Sequence, residues 1–485
     1  MRPLPFVRFV VLATAVVAAL ALAGTAGAQR YIVLYEHDKQ AAPASAQADV
    51  ERAGGSLVAA YPEIGVAVAE SSSPGFVAAL ERLRGVEGVA ASGGFGGSPA
   101  GNAWGGEPKL PNEPVGDADT FSPLQWWAQR IKAPQAHAIT GGSPAVTVGV
   151  VDTGVDASHT DLDGNVDASR SVSCASGAPN QDPAAWNDDS GHGTNVAGVI
   201  AAEANGRGII GIAPNVKLAV IKASVRVGTS DIFLADAVIC SYVWAGNHDV
   251  DVANSSFSVD SALSGGTTSF CRADDAQRTV IKAVKRAIEF AQDNNVSIVA
   301  SAGNDGRDLT ELTEAGCMRL PSQAPGVVTV SSIGMLDALA AGPPSNYGLG
   351  VITVTAPGGD FMQGVPPAGL ILGPWPASMQ VPRLLCDPCT GPDAAFYRFF
   401  AGTSQAAAQV SGVAALVVSR FGQAHPLKGS TMEPKRVALI VKQTADPLPC
   451  PAADARCVTR KNETSFFGKG VVNALRAVTL DKRDP

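Results

Sequence analysis

Val146-Thr147-Val148-Gly149-Val150-Val151-Asp152-Thr153-Gly154 is a largely apolar, β-branched run that ends in a carboxylate and a turn. Such a run reads as a buried strand, because β-branched side chains fit a pleated surface and few of its residues suit water. Asp152 then stands at the strand's C-terminal edge, facing the crevice in which open α/β sheets bind ligands. Outward from this stretch, β-rich segments at 217–223, 250–256, 296–300 and 327–333 alternate with helical ones at 232–242 and 279–293. The alternation predicts an α/β fold of three layers, a mostly parallel sheet flanked by helices.

Two further stretches supply chemistry. Gly191-His192-Gly193-Thr194 opens a small-residue helix over 194–202, and Gly402-Thr403-Ser404 opens an apolar helix over about 404–419. A serine hydroxyl is a weak nucleophile near neutral pH. It needs an imidazole to take its proton and a buried carboxylate to hold that imidazole in the right tautomer. Ser404 at a helix's first turn also sits where unpaired N–H groups and the helix dipole favour developing negative charge. Taken singly, Asp152 reads equally as a strand-end turn residue and Ser404 as a plain helix cap. Neither bland reading accounts for the three together. His159, one of six histidines, lies in the 156–162 turn without a comparable setting and reads as a packing or solvent-facing residue. The chain order Asp, His, Ser separates this arrangement from folds that run His, Asp, Ser or Ser, Asp, His.

Asp152-Thr153-Gly154, His192-Gly193-Thr194-Asn195-Val196-Ala197-Gly198 and Gly402-Thr403-Ser404-Gln405-Ala406-Ala407 resemble the three signature segments of subtilisin-like serine proteases, the subtilase or peptidase S8 family. Ile298 through Asn304, Ser345-Asn346-Tyr347-Gly348, Ala356-Pro357-Gly358 and Gly468 through Ala474 extend the likeness, which covers roughly residues 122–478. The resemblance implies a serine endopeptidase acting on polypeptides, with Asp152, His192 and Ser404 as triad and Asn304 donating to the oxyanion; the rival for Asn304 is an Asn-Asp-Gly turn. It further implies substrate-binding segments that contain Ser256, Phe257 and Ser258 on one side and Ala302 and Gly303 on the other. A calcium site is implied at Asp161, Glu203, Asn205, Arg207 and Ile209, with an ion-free loop as its alternative, and no cofactor is required for the chemistry. Three residues depart from the pattern: Gln405 replaces a methionine, Ala408 a proline and Ser258 a glycine of the substrate-binding strand. They bear on efficiency and pocket shape. A catalytically silent scaffold binding a partner through the same cleft is the rival reading.

The ends complete the organisation. Residues 1–28 carry Arg2 and Arg8, an apolar stretch from Phe9 to about Leu22 and Ala26-Gly27-Ala28, the pattern of a secretory signal with its cleavage site. Residues 29–95 then read as a small α+β unit of strand 31–35, helix 46–53, strands 57–61 and 66–69, helix 74–83 and strand 86–91. This βαββαβ order resembles the propeptide inhibitor domain of the same family, and implies an intramolecular inhibitor and folding aid. Residues 96–120, rich in Gly, Pro and Asn, read as a linker, with maturation cleavage expected between about 91 and 120, and 121–485 as the catalytic domain.

A net charge of −8 argues against a nucleic-acid partner, and no later segment is long and apolar enough to suit a membrane. The expected location is extracellular or periplasmic. All eight cysteines fall between Cys174 and Cys457, and their even number in an exported chain points to disulfides. Of the 105 connectivities eight cysteines allow, Cys450 with Cys457 is the expected local pair. Cys386-Asp387-Pro388-Cys389 has redox-motif spacing but lies in a Pro/Gly-rich stretch, which favours a structural bridge. That stretch belongs to 360–400, read as an insertion because its seven prolines separate two signature segments.

Overall fold

The computed structural model describes residues 28–36, 45–92, 118–259, 269–362, 367–379, 381, 384–425 and 429–481. Residues 1–27 of the expected signal and 93–117, most of the expected linker and of the stretch in which maturation cleavage is expected, lie outside these residues.

In the N-terminal unit, Gln29–Tyr35 (β1), Ser56–Tyr61 (β2), Val66–Ser71 (β3) and Val86–Ala91 (β4) form an antiparallel sheet in the order β2-β3-β1-β4, with helices Ala46–Arg52 (α1) and Phe76–Glu81 (α2). Alternate side chains serve two cores, as the period of two in a strand requires. Val33, Tyr35, Ala67, Ala69 and Val89 pack beneath α1 and α2, while Ile32, Leu34, Val66, Val68 and Ala90 join a core of the following domain. This is the small ferredoxin-like unit expected before residue 95.

The larger domain is built on seven parallel strands: Thr147–Asp152 (β5), Val172–Ser173 (β6), Lys217–Lys222 (β7), Val252–Ser255 (β8), Ser297–Ser301 (β9), Val328–Ile333 (β10) and Val354–Pro357 (β11), ordered β11-β10-β9-β8-β5-β7-β6. On one face Val148, Val150, Leu218, Val220, Val252 and Val299 meet helices His192–Ala201 (α3) and Thr403–Phe421 (α6). On the other, Val151, Ala219, Ile221, Ala253, Ile298 and Ala300 meet Ala235–Asn247 (α4) and Asp275–Asp293 (α5). Asp274 caps α5 by accepting from Gln277 N at 2.8 Å, a contact worth about 1 kcal/mol. From β5 the chain first fills the β7 side and then crosses to β8. Strand order therefore reverses between β5 and β8, and the crevice opens at their C-terminal ends.

Two expectations need correction in detail. Ile232 and Phe233, read as the start of a helix, belong to the strand Ser230–Phe233; α4 begins after the extended Leu234. The 360–400 segment contains an antiparallel sheet of Ile371–Trp375 (β12), Leu385–Cys386 (β13) and Phe396–Phe400 (β14), ordered β12-β14-β13. Its Leu370, Ile371, Leu372, Tyr397 and Phe399 join the core beside α3, and a Cβ at Gly198 of α3 would meet Pro374 at 2.0 Å. Gly373 and Pro374 hide this strand from a periodicity reading.

The cysteines pair as Cys174–Cys240, Cys271–Cys317, Cys386–Cys389 and Cys450–Cys457. The bridge spanning 66 residues ties the end of β6 to α4; closing a loop of that length is worth about 4 kcal/mol by chain entropy.

Candidate active site

Three separate elements bring the chemistry-bearing residues to the crevice. Asp152 ends β5 and is fully buried; its Oδ1 lies 2.7 Å from Nδ1 of His192, the first residue of α3. The same oxygen accepts the N–H of Thr153 at 2.8 Å. A proton held at Nδ1 leaves Nε2 as the basic nitrogen. Close approach of α3 to the strand end requires Gly193, where a Cβ would fall 2.1 Å from the Gly154 carbonyl and 3.2 Å from Asp152 Cβ. Burial presses the His192 imidazole toward its neutral form. The Asp152 carboxylate, with smaller effects from Asp231 and Asp188, outweighs burial and raises its pKa above the ordinary histidine value.

Asp188, not singled out by sequence reasoning, organises this corner. Its carboxylate accepts the backbone N–H groups of Ser190 at 3.0 Å and of Gly191 and Thr194 at 2.9 Å, the Thr194 hydroxyl at 2.6 Å and the Thr153 hydroxyl at 2.9 Å. One side chain thus gathers the N–H groups at the start of α3 and ties them to the residue after Asp152. Burial raises the Asp188 pKa in spite of these bonds. The available signal was its place four residues before His192, in reach of a helix start.

Ser404 is the second residue of α6 and 3% exposed. Its hydroxyl donates to the Ser256 carbonyl at 3.2 Å, and the Ser256 hydroxyl donates to the Ser404 carbonyl at 3.1 Å. The serine is thereby held against the segment that follows β8. Asn304 follows β9; its Oδ1 accepts the N–H and hydroxyl of Thr403, each at 2.9 Å. This orients the amide with Nδ2 as the outward donor, 3.2 Å from where a Cβ would stand on Gly402. The Ser404 N–H, in the first turn of α6 where helix N–H groups have no intrahelical acceptor, and the Asn304 amide are thus neighbours across Gly402-Thr403.

Both expected substrate-binding segments touch the start of α6, Ser256 through its carbonyl at the Ser404 hydroxyl and Gly303 through its N–H to the Thr403 hydroxyl at 3.1 Å, whereas the buried Phe257 stacks on Phe233 at 4.4 Å. Gln405, 1% exposed, donates to Asn195 Oδ1 at 3.1 Å, and Asn195 Nδ2 donates to the Arg398 carbonyl at 3.3 Å. The replacement of methionine therefore links the first turns of α6 and α3 to β14. His159 is buried: Nδ1 accepts from Asp161 N at 3.2 Å and Nε2 donates to the Phe396 carbonyl at 2.9 Å. Burial lowers its pKa, consistent with a packing role.

In the loop read for calcium, Asp161 Oδ2 accepts Ile209 N at 3.2 Å, Asn205 Oδ1 accepts Arg207 N at 3.0 Å, and the Glu203 carboxylate accepts Gly164 N at 2.7 Å. Asp161 Oδ1 is buried without a hydrogen-bond partner, and burial pushes the Asp161 pKa up to about 7. Among the described residues there is no group of three or more His, Cys, Asp and Glu disposed to hold a metal, so any cation here relies on backbone and amide oxygens.

The sequence profile of the Subtilase family, Peptidase S8, matches residues 143–470. The chain belongs to the subtilase family. Fervidolysin of Fervidobacterium pennivorans is 28% identical over 284 residues, which are 58% of this chain and 36% of that protein. Subtilisin DY of Bacillus licheniformis is 27% identical over 71% of this chain and 94% of its own length. The solved epidermin leader peptide processing serine protease of Staphylococcus aureus superposes with a TM-score of 0.67 at 21% identity, over 94% of this chain and 99% of that one, and is a likeness of fold. This subtilase thus has the three-layer fold of its family and is a subtilisin-like serine endopeptidase by descent, of a family whose chemistry needs no cofactor. Among the described residues no helix is long and apolar enough to cross a membrane.

Proposed function

We propose that this subtilase is a secreted endopeptidase, made as a self-processing precursor, that cuts peptide bonds through an acyl-enzyme on Ser404. The observation that carries this reading is the buried 2.7 Å contact between Asp152 and His192 in the same crevice as a serine at a helix N-terminus. When a peptide carbonyl enters, the Ser404 hydroxyl turns from the Ser256 carbonyl to His192 Nε2, gives up its proton and attacks. Asp152 holds the imidazole and stabilises the imidazolium that forms. The oxyanion accepts from Asn304 Nδ2 and the Ser404 N–H, donors aimed where charge develops. His192 then returns the proton to the departing amine, and water repeats the sequence on the ester.

Residues 29–95 act as intramolecular inhibitor and folding aid for the domain of residues 121–485. The signal (1–28) is removed on export and the linker (96–120) is cut in maturation. Support lies in the docked face: Tyr61 Oη donates to the Gly177 carbonyl at 2.6 Å, Arg30 pairs with Asp236 at 2.8 Å, and Glu87 bridges Lys282 and Arg286 at 2.5 and 2.6 Å. The orphaned Asp161 Oδ1 supports a structural calcium, held by the Asp161 and Asn205 side chains and the Glu203, Arg207 and Ile209 carbonyls. Such an ion neutralises the buried carboxylate and takes no part in bond cleavage. A chelator then lowers the melting temperature; an unmoved transition counts against the ion.

The test is labelling of the mature protein with a fluorophosphonate, mapped by peptide mass, beside casein hydrolysis. The expected adduct is on Ser404, with hydrolysis lost in proportion to labelling. A folded protein that neither labels nor cleaves would instead be a silent scaffold.

A further inference from the structure

Arg319 follows the short strand Cys317–Met318, which the Cys271–Cys317 bridge anchors. It is 3% exposed, and its guanidinium lies against both of the segments that reach the start of α6. Nε donates to Ser258 Oγ at 2.6 Å on one side. On the other, a Cβ at Gly303 would fall 2.8 Å from Cζ and 2.9 Å from Nε. Only a residue without a side chain lets the guanidinium lie so close to this backbone. Nη1 pairs with Asp305 at 2.5 Å, the residue after Asn304. The departure at Ser258 from the family's glycine therefore has a partner, since its hydroxyl receives the Arg319 Nε–H.

A buried cation requires a counter-ion, because removing its hydration is costly unless charge and hydrogen bonds replace it. The two ends of this pair are unequally placed: the Arg319 side chain is 4% exposed and that of Asp305 37%. Asp305 can regain water by moving outward, whereas Arg319 cannot. The guanidinium is a rigid planar fork matched to a carboxylate. A cationic side chain entering here meets like charge, and a large apolar one strips an ion of its partners without replacing them.

We propose that Arg319 makes the place where the 256–258 and 302–303 segments meet, beside Ser404, a site for a substrate carboxylate, so that the enzyme cleaves after aspartate or glutamate, whose side chain displaces Asp305 from the guanidinium. This deepens the endopeptidase reading and rests on it. Asp305 is the internal stand-in for the substrate's carboxylate, and Ser258 fixes the fork.

The experiment uses mature enzyme obtained from the full-length precursor and fluorogenic peptides that differ only in the residue before the scissile bond: Glu, Asp, Ala, Phe or Lys. Wild type is expected to favour Glu or Asp over Lys by on the order of 10²-fold or more in kcat/KM, the scale set by placing like charge against the guanidinium. Arg319→Gln is expected to collapse that preference, and Asp305→Asn to enlarge it by lowering KM for the acidic peptides. Fastest cleavage after Lys or Phe overturns the proposal. So does cleavage after Ala with rejection of Glu, in which case the guanidinium only plugs the pocket. If Arg319→Gln does not fold, Asp305→Asn decides, since it retains the cation; an unchanged or smaller acid preference refutes the idea. Fluorophosphonate labelling separates the two readings. Labelling without acid preference defeats this proposal alone, whereas no labelling and no hydrolysis of any peptide defeats the endopeptidase reading with it.

Discussion

Asp152 and Asp236 are both buried carboxylates with a nitrogen partner within 3 Å; what differs is where the partner comes from. Asp152 pairs with His192, and both belong to the larger domain, fixed by β5, α3 and the Asp188 cluster. Asp236, at the start of α4, pairs with Arg30 and accepts from Ser92 Oγ at 2.5 Å, both residues of the N-terminal unit. Burial raises the Asp236 pKa, Arg30 only partly offsetting it. One pair persists for as long as the domain is folded. The other lasts only while two units stay together. On the proposed maturation, one pair is permanent and the other separable, although similar chemistry builds both.

The comparison breaks most visibly at the permanent pair. Asp152→Asn is expected to lower kcat by about 10⁴ while the fold persists, because the amide holds the wrong tautomer; steady-state kinetics beside circular dichroism reads both. Asn304→Ala is expected to cost roughly 10²–10³ in kcat with little change in KM, the loss measured for an oxyanion-donating asparagine in subtilisin, a relative of this chain. At the separable pair, Arg30→Ala leaves Asp236 without its cation and is expected to destabilise the docked precursor by about 3 kcal/mol. A denaturant titration of the full chain carrying Ser404→Ala detects it, and the mature enzyme's kcat should not move.

The smallest effect is in pH. On the proposed mechanism His192 works as a neutral base, so kcat/KM should fall as acid is added through a value above the ordinary histidine pKa. The sign for stability is opposite. A histidine whose pKa is raised on folding adds stability that is complete below its unfolded pKa and is lost as pH rises through the folded value. An acid limb below the ordinary histidine value would show that Asp152 does not outweigh burial.

Much of this was legible in the chain. The strand ending at Asp152, the helix beginning near His192 and the helix beginning near Ser404 follow from apolar runs, small residues and punctuation, and the βαββαβ unit follows from its alternation. Asp188 was legible only as an acidic residue near a helix start; nothing local shows that five donors converge on it. Arg319 was not legible, since a single arginine two residues after a cysteine carries no local sign of what it faces. Its meaning comes from Gly303 and Ser258, distant in sequence and adjacent only once β8 and β9 are aligned. The 360–400 insertion concealed its sheet behind Gly373 and Pro374, residues that weaken a strand pattern but here fit closely against α3. Local order was readable from local composition; convergence across elements was not.

The most direct measurement is expression of the whole precursor into an oxidising compartment beside its Ser404→Ala variant, following the size and N-terminal sequence of each. The account predicts that wild type loses its first segment, with a new N-terminus between residues 91 and 120, and that the variant stays joined apart from removal of its signal. Equal processing of both would contradict Ser404 as the nucleophile, and a folded wild type left uncut would contradict self-processing.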